Sequence, residues 1–367
     1  MSTTGVLTER EWRKRSARAR RAHPRCWGAQ CMLPQARKSS LKEDRAFRAF
    51  LILLSMMTAL MLPMAVPRRQ APAQYPVVPA SAGMEHAPEV RAVSAIGYAL
   101  PAGLSYQAHT YTREELARGK LLLIDGIHPL PSGVPAPNTL SIATYGKGMV
   151  PVNDLSIKSG RETIEALSRM FTGMRARGVG GLTVWRATLS PAEQRELRLD
   201  MLRAYAARMP IQEAVARTLD ETDEPYTGDL QQEYTVEIRL NQSGSNEPDE
   251  RPLGQSEPGR FLLQNAWRYG FIQRNPDGAG ALGFRFRFVG EAHATAMTFL
   301  DLGLESYLEL LHQRRVITVK KDGALRYLIL CKPLEDTHIG FSLPEGAVYE
   351  ASLDNMGYAV VACTLPD

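Results

Sequence analysis

The chain has 367 residues, 44% of them apolar, and a formal net charge of +5, a composition that buries a core and excludes a wholly disordered protein. The charge is uneven: residues 1–48 carry thirteen Lys/Arg against four Asp/Glu, and the rest carries thirty-one against thirty-five. The part expected to fold is therefore mildly acidic, which argues against nucleic acid as its partner.

Ala49–Val66, "AFLILLSMMTALMLPMAV", holds no charged residue over eighteen positions. At 1.5 Å per residue that just spans a hydrocarbon core of ~30 Å. Arg45 and Arg48 precede it, so the expectation is a single-pass signal anchor in the cell membrane, with a cytoplasmic N-terminus and an extracytoplasmic C-terminal domain. A cleaved signal peptide is the alternative; the only small-x-small site nearby, Ala71-Pro72-Ala73, contains a proline and lies late. The basic tail 1–48 then touches anionic headgroups. Residues 67–104 carry Pro67, Pro72, Pro76, Pro79, Pro88 and Pro101 and read as an extended linker.

Folding is expected from about Thr112, whose spacing to Glu115 suggests a capping box. "KLLLID" (120–125) reads as a buried strand. Ser159 and Glu162 suggest the cap of a helix with the stripe Ile164, Leu167, Phe171 and Met174, ending at Gly178. "LTVWR" (182–186) reads as a strand. Ser190, Pro191 and Glu193 open a helix that runs to about Met209, and "IQEAVARTL" forms a second.

"EYTVEIRL" (233–240) alternates. Tyr234, Val236, Ile238 and Leu240 make a core face; Glu233, Thr235, Glu237 and Arg239 make the other. After a polar loop, a helix over 259–269 closes at Gly270. "GFRFRFVG" (283–290) alternates again, with Phe284, Phe286 and Phe288 opposite Arg285 and Arg287. Helices follow near 292–301 and 304–314, and the tail from Val316 is all-β, with a hairpin at "KKDG".

Cys331 and Cys363 lie outside the membrane on this topology, and the sequence leaves their pairing open. There is no C-x-x-C, no Cys/His zinc spacing and no histidine pair at i,i+3 or i,i+4 after the apolar span.

The run "FLLQNAWRYGFIQRNPDGAGALGFRFRFVG" resembles the closing segment of the D-alanyl-D-alanine carboxypeptidases of the vancomycin-resistance type. It keeps Leu263, Asn265, Ala266, Tyr269, Gly270, Phe271, Ile272, Arg274 and Pro276, then Arg287, Val289 and Gly290. "LTVWRATLSPAEQ" is similar to that family's S-G-Y-R-S-x-x-x-Q, with Trp185, Arg186 and Gln194 in matching places. The resemblance covers roughly 112–367. It implies an α+β chain with a zinc DD-peptidase/hedgehog-like core over 105–315 and a small C-terminal β module over 316–367; the apolar run adds one transmembrane helix (49–66) before them.

The resemblance also implies where zinc would bind, through H-x-x-G-x-A-x-D and a later His, with a Glu three residues before that His as general base. Such a site needs three neutral or anionic ligands and an open position for water. Matched to "QEYTVEIR", Gln232 stands at the first His and Arg239 at the Asp. Arg285 replaces the second His and Leu282 the Glu. The expectation is a degenerate member that lacks zinc and catalytic residues.

Two readings of the cations follow. Glu237, Arg239 and Arg285 form an ion-pair network that plugs the lost site. Alternatively, Arg239 and Arg285, with Arg186 and Gln194, hold an anionic ligand, because the guanidinium fork suits a carboxylate. Arg287 reads as structural. The expected function is that of a membrane-anchored pseudoenzyme, bound to a peptidoglycan stem peptide or a cell-wall protein. An active carboxypeptidase with other ligands, or a scaffold acting through 316–367, are the alternatives.

Overall fold

A computed structural model describes residues 93–241, 251–275, 283–335 and 337–366. The basic tail, the apolar span 49–66 and most of the linker lie outside the described residues. Among the described residues no helix is long and apolar enough to cross a membrane.

Two antiparallel sheets organise the fold. The first has the order β5-β6-β8-β7, built from β5 (Leu182–Arg186), β6 (Thr235–Leu240), β7 (Phe271–Gln273) and β8 (Arg285–Phe288). Its apolar face packs on helix α3 (Arg161–Arg175), where Ile164, Leu167, Phe171 and Met174 meet Val236, Ile238, Phe286 and Phe288. The alternation in "EYTVEIRL" and "GFRFRFVG" thus faces the core as expected. The opposite face is buried too: Thr235, Glu237, Arg239, Arg285 and Arg287 are all almost inaccessible. Period-two alternation usually marks a wet polar face; here it marks a second, charged interior.

The second sheet has the order β1-β9-β10-β13-β12: β1 (Val93–Gly97), β9 (Val316–Lys321), β10 (Ala324–Pro333), β12 (Val348–Leu353) and β13 (Tyr358–Thr364). One face carries Ile329, Val360 and Ala362 and packs on helices α7 (Glu291–Leu300) and α8 (Leu304–Arg314). The other carries Leu328, Leu330 and Val361 and packs beneath β2 (Tyr106–Thr112), its partner β11 (His338–Pro344) and helix α1 (Arg113–Leu116).

The boundary expected at 315/316 is therefore not a boundary. The C-terminal strands share their cores with α1, α7 and α8. β1, which falls inside the expected linker, pairs with β9. β11 had no clear signal in the sequence.

Three local expectations change. "KLLLID" is buried but is not a strand; its backbone is satisfied from elsewhere. Arg287 donates to the carbonyls of Lys120 (3.0 Å) and Leu122 (2.9 Å), Asn355 donates to that of Leu123, and Ser352 accepts the Leu121 N–H. Ser159 does not cap α3; its hydroxyl donates to the Glu233 carbonyl and Gly160 is the N-cap. The helix expected over 259–269 is α6 (Glu257–Asn265) followed by a 3-10 turn, Ala266–Tyr269, that closes on left-handed Gly270 (φ 85°).

The two capping boxes, at Thr112/Glu115 and at Ser190/Glu193 ahead of α4 (Pro191–Ala206), form as expected. α5 (Ile211–Glu221) follows. Cys331 lies opposite Val360, and Cys363 opposite Leu328, on neighbouring strands. An odd offset of three puts the two thiols on opposite faces of the sheet, so both are free and buried.

Candidate functional site

The charged face of the first sheet is set by register. Glu237 on β6 lies opposite Arg285 on β8, and Thr235 lies opposite Arg287. On the other side of β6, Thr183 faces Arg239, and a bulge between Val184 and Arg186 brings Arg186 opposite Glu237. A bulge adds one residue and re-aims the next side chain. Here it delivers Arg186 to the charged face. Glu237 thus sits between two arginines on adjacent strands, with a third, Arg239, two residues along its own strand.

The carboxylate of Glu237 is fully buried. It accepts from Arg186 Nη1 at 3.1 Å and from Arg239 Nε. The Arg239 guanidinium lies 4.7 Å from the Phe284 ring centroid, a cation–π contact that helps hold it. Arg285 does not join this pair. It donates instead to Asp223 Oδ2, just past the end of α5. The expected Glu237/Arg239/Arg285 network is thus two networks: Glu237 with Arg186 and Arg239, and Asp223 with Arg285.

A third network lies at the far end. Asp229 accepts from Arg287 at 2.8 Å and from Arg274 at 2.5 Å, and Arg274 also pairs with Glu305 at 2.9 Å. Burial works to raise the Asp229 pKa, but the two guanidiniums outweigh it and leave the carboxyl below its ordinary value. Arg287 has a fourth acceptor, Gln232 Oε1, at 2.5 Å. It is structural, as expected.

Gln194 does not meet solvent at all. It is fully buried and donates from Nε2 to the Asp223 carbonyl at 2.9 Å. Its role is to position the loop that holds Arg285, which corrects the expectation of ligand contact. Leu282 lies outside the described residues. His293 is buried in α7, with Nδ1 2.8 Å from the Tyr307 hydroxyl.

Two clefts flank the charged face. One, of about 700 Å³, is lined by Trp185, Arg186, Lys158, Gln231, Gln232 and Glu233 and by the Pro-rich segment 134–138. The other, of about 600 Å³, is lined by Arg285, Asp223, Arg274, Arg198 and Glu305. Arg186 and Arg285 therefore open onto different clefts, and the line between them is closed by Glu237. Arg239 lines neither of these clefts.

The chain is similar in sequence to a D-alanyl-D-alanine carboxypeptidase of Enterococcus faecium, with 25% identity over 267 residues, which is 70% of this chain and 78% of that protein. No family model matches. In fold it is similar to the vancomycin-resistance D,D-dipeptidase VanXYg, solved with a D-Ala-D-Ala phosphinate analogue, at a TM-score of 0.58, 19% identity, and coverage of 71% of this chain and 99% of that one. The chain is thus similar in sequence to a D-alanyl-D-alanine carboxypeptidase and in fold to a vancomycin-resistance D,D-dipeptidase.

Given that similarity, the register bears on the zinc positions. Two ligands of one ion on neighbouring antiparallel strands come closest when they lie opposite each other. The residue opposite Arg285 is Glu237, not Arg239. Moving the motif by two places Glu237 at the Asp and Leu230 at the first His. One carboxylate of the set then survives, but both its oxygens are taken by guanidiniums. Among the described residues no group of three His, Cys, Asp or Glu could hold a metal ion. These residues do not fit zinc.

Sequence reasoning missed Asp223, Asp229 and Gln231. All three lie on the connection between α5 and β6, where no periodicity signals which way a side chain turns.

Proposed function

We propose that this protein binds the carboxylate-terminated peptide of the cell-wall stem and does not cleave it. The observation that carries this reading is Arg186. One of its nitrogens is fixed by buried Glu237, and its side chain keeps 26% of its surface at the 700 Å³ cleft. Among the described residues the Nε/Nη2 edge has no protein acceptor, and such an edge takes a carboxylate in two parallel hydrogen bonds. Trp185 and the Pro-rich wall supply apolar surface beside it.

Hydrolysis needs an activated water and a base. The positions that relatives would use hold Arg285, a doubly paired Glu237 and Leu230. The sequence relative is a D-alanyl-D-alanine carboxypeptidase, and the VanXYg structure holds a D-Ala-D-Ala analogue, which supports D-Ala-D-Ala as the peptide end. The apolar span 49–66 supports a membrane anchor that keeps the cleft on the wall side.

Calorimetric titration of the full chain with a synthetic stem pentapeptide ending in D-Ala-D-Ala tests the reading. We expect binding, no released D-Ala, and at least about tenfold weaker binding for Arg186→Met. D-Ala release that a chelator abolishes would sink it.

A further inference from the structure

The floor of the Arg186 cleft has an asymmetry of hydrogen-bonding groups. Gln231 and Gln232 both line it, and both have their acceptor ends tied off. Gln231 Oε1 accepts the Tyr226 N–H at 2.5 Å. Gln232 Oε1 accepts from Arg287 Nη2 at 2.5 Å. An amide can be flipped only if its partners allow it. A backbone N–H and a guanidinium are pure donors, so each amide is locked with its oxygen toward the protein. The –NH₂ ends must then face the other way. Gln231 Nε2 is buried and has no acceptor, and Gln232 Nε2 has none among the described residues.

Local structure holds these donors beside Arg186. Gln231 closes a 3-10 turn, Asp229–Gln231, and Gln232 caps it. The Leu189 N–H bonds the Leu230 carbonyl at 2.7 Å, and the Thr188 hydroxyl donates to the Gln232 carbonyl at 3.3 Å. The segment just after Arg186 is thus tied to the turn that carries both amides. Buried donors are almost always paired. Unused donors on two residues that line the same cleft as Arg186 favour a ligand that offers acceptors.

We propose that Gln232, assisted by Gln231, is a specificity-determining donor that reads the peptide carbonyl next to the ligand's terminal carboxylate. The inference rests on the reading of Arg186 as the carboxylate site. It makes the cleft selective for acceptor-rich, carboxylate-ended peptides and unreceptive to a protonated amine at the same place. Gln232→Glu keeps an acceptor for Arg287, so the fold stays supported while the donor is lost.

The test is a binding cycle on the full chain with two probes: N-acetyl-D-alanyl-D-alanine, and an alkene isostere in which the peptide carbonyl is absent. Wild type is expected to bind the isostere at least about tenfold more weakly than the peptide. Gln232→Glu is expected to bind peptide and isostere equally, because the donor that tells them apart is gone, whatever its added negative charge costs both. Thermal melting of the variant checks that it is folded. Equal binding of both probes by wild type overturns the proposal. So does a Gln232→Glu variant that still favours the peptide tenfold. Arg186→Met separates the two ideas: weaker peptide binding there, with no change at Gln232→Glu, removes only the role of Gln232. Unchanged binding at Arg186→Met removes the carboxylate reading and this inference with it.

Discussion

Glu237 and Arg285 lie directly opposite each other on β6 and β8, yet the carboxylate bonds Arg186 and Arg239, and Arg285 bonds Asp223. Opposite charges in register normally pair. Here each finds a better-placed partner from another element, and the sheet face divides into separate networks.

That register tests which residues stand at the former metal positions. Leu230→His and Arg285→His, with Arg239→Ala to release Glu237, are expected to bind zinc at about one ion per chain. Gln232→His, Arg239→Asp and Arg285→His are expected to bind none. Metal analysis after dialysis decides it, and the reverse outcome restores the unshifted motif.

Arg287 should be the least replaceable of the cations. It is fully buried and bonds Asp229, Gln232 and two backbone carbonyls. Arg287→Met leaves Asp229 with Arg274 alone, takes the donor from Gln232 and two carbonyls, and is expected to cost about 3–5 kcal/mol, read as a fall in the urea midpoint. A loss below about 1 kcal/mol would show that solvent reaches the site.

His293 makes stability depend on pH. Burial, with a contribution from Lys120, pushes its pKa from 6.5 to about 3. The folded state therefore holds the neutral ring, and the unfolded chain binds the proton more readily. The contribution is complete above about pH 6.5 and is lost progressively as pH falls toward 3. By pH 5 the loss is about 2 kcal/mol. His293→Gln should lack this component, so wild type and variant should differ in the slope of their denaturation midpoints between pH 7 and 5.

Cys331 and Cys363 should stay unpaired even under oxidising conditions. They lie on opposite sheet faces, and burial pushes each thiol up to about 12. Iodoacetamide should label neither in the native protein and both after unfolding, as mapped by mass spectrometry. A native Cys331–Cys363 crosslink would contradict the strand register.

Removing 316–367 should unfold more than a tail. β9, β10 and β13 bury Leu308, Leu311 and Ala296 of the helices before them. The truncated chain is expected to lose cooperative melting altogether and to become protease-sensitive within 105–315. A truncated chain that still melts sharply would restore the boundary at 315/316.

Much of the local structure was legible. The capping boxes at Thr112 and Ser190, the stripe on α3, the left-handed Gly270 and the Phe/Arg alternation of β8 all rest on short-range geometry. A period of 3.6 or 2.0, or a cap three residues wide, is written in neighbouring letters. Arg287 could be read as structural, because the resemblance ran through it and the fold buries it among four acceptors.

Partner choice was not legible. That Arg285 would turn to Asp223, that the carbonyls of Lys120, Leu122 and Leu123 would be satisfied by side-chain donors instead of a ladder, and that two glutamines would present unused donors all depend on residues far apart in the chain. Sequence alone determined which groups carry permanent charge and which faces are apolar. Tertiary structure alone decided which charge meets which. A buried ion pair is set by approach distance and by the exclusion of water, and both exist only once the two sheets and their connecting turns have packed.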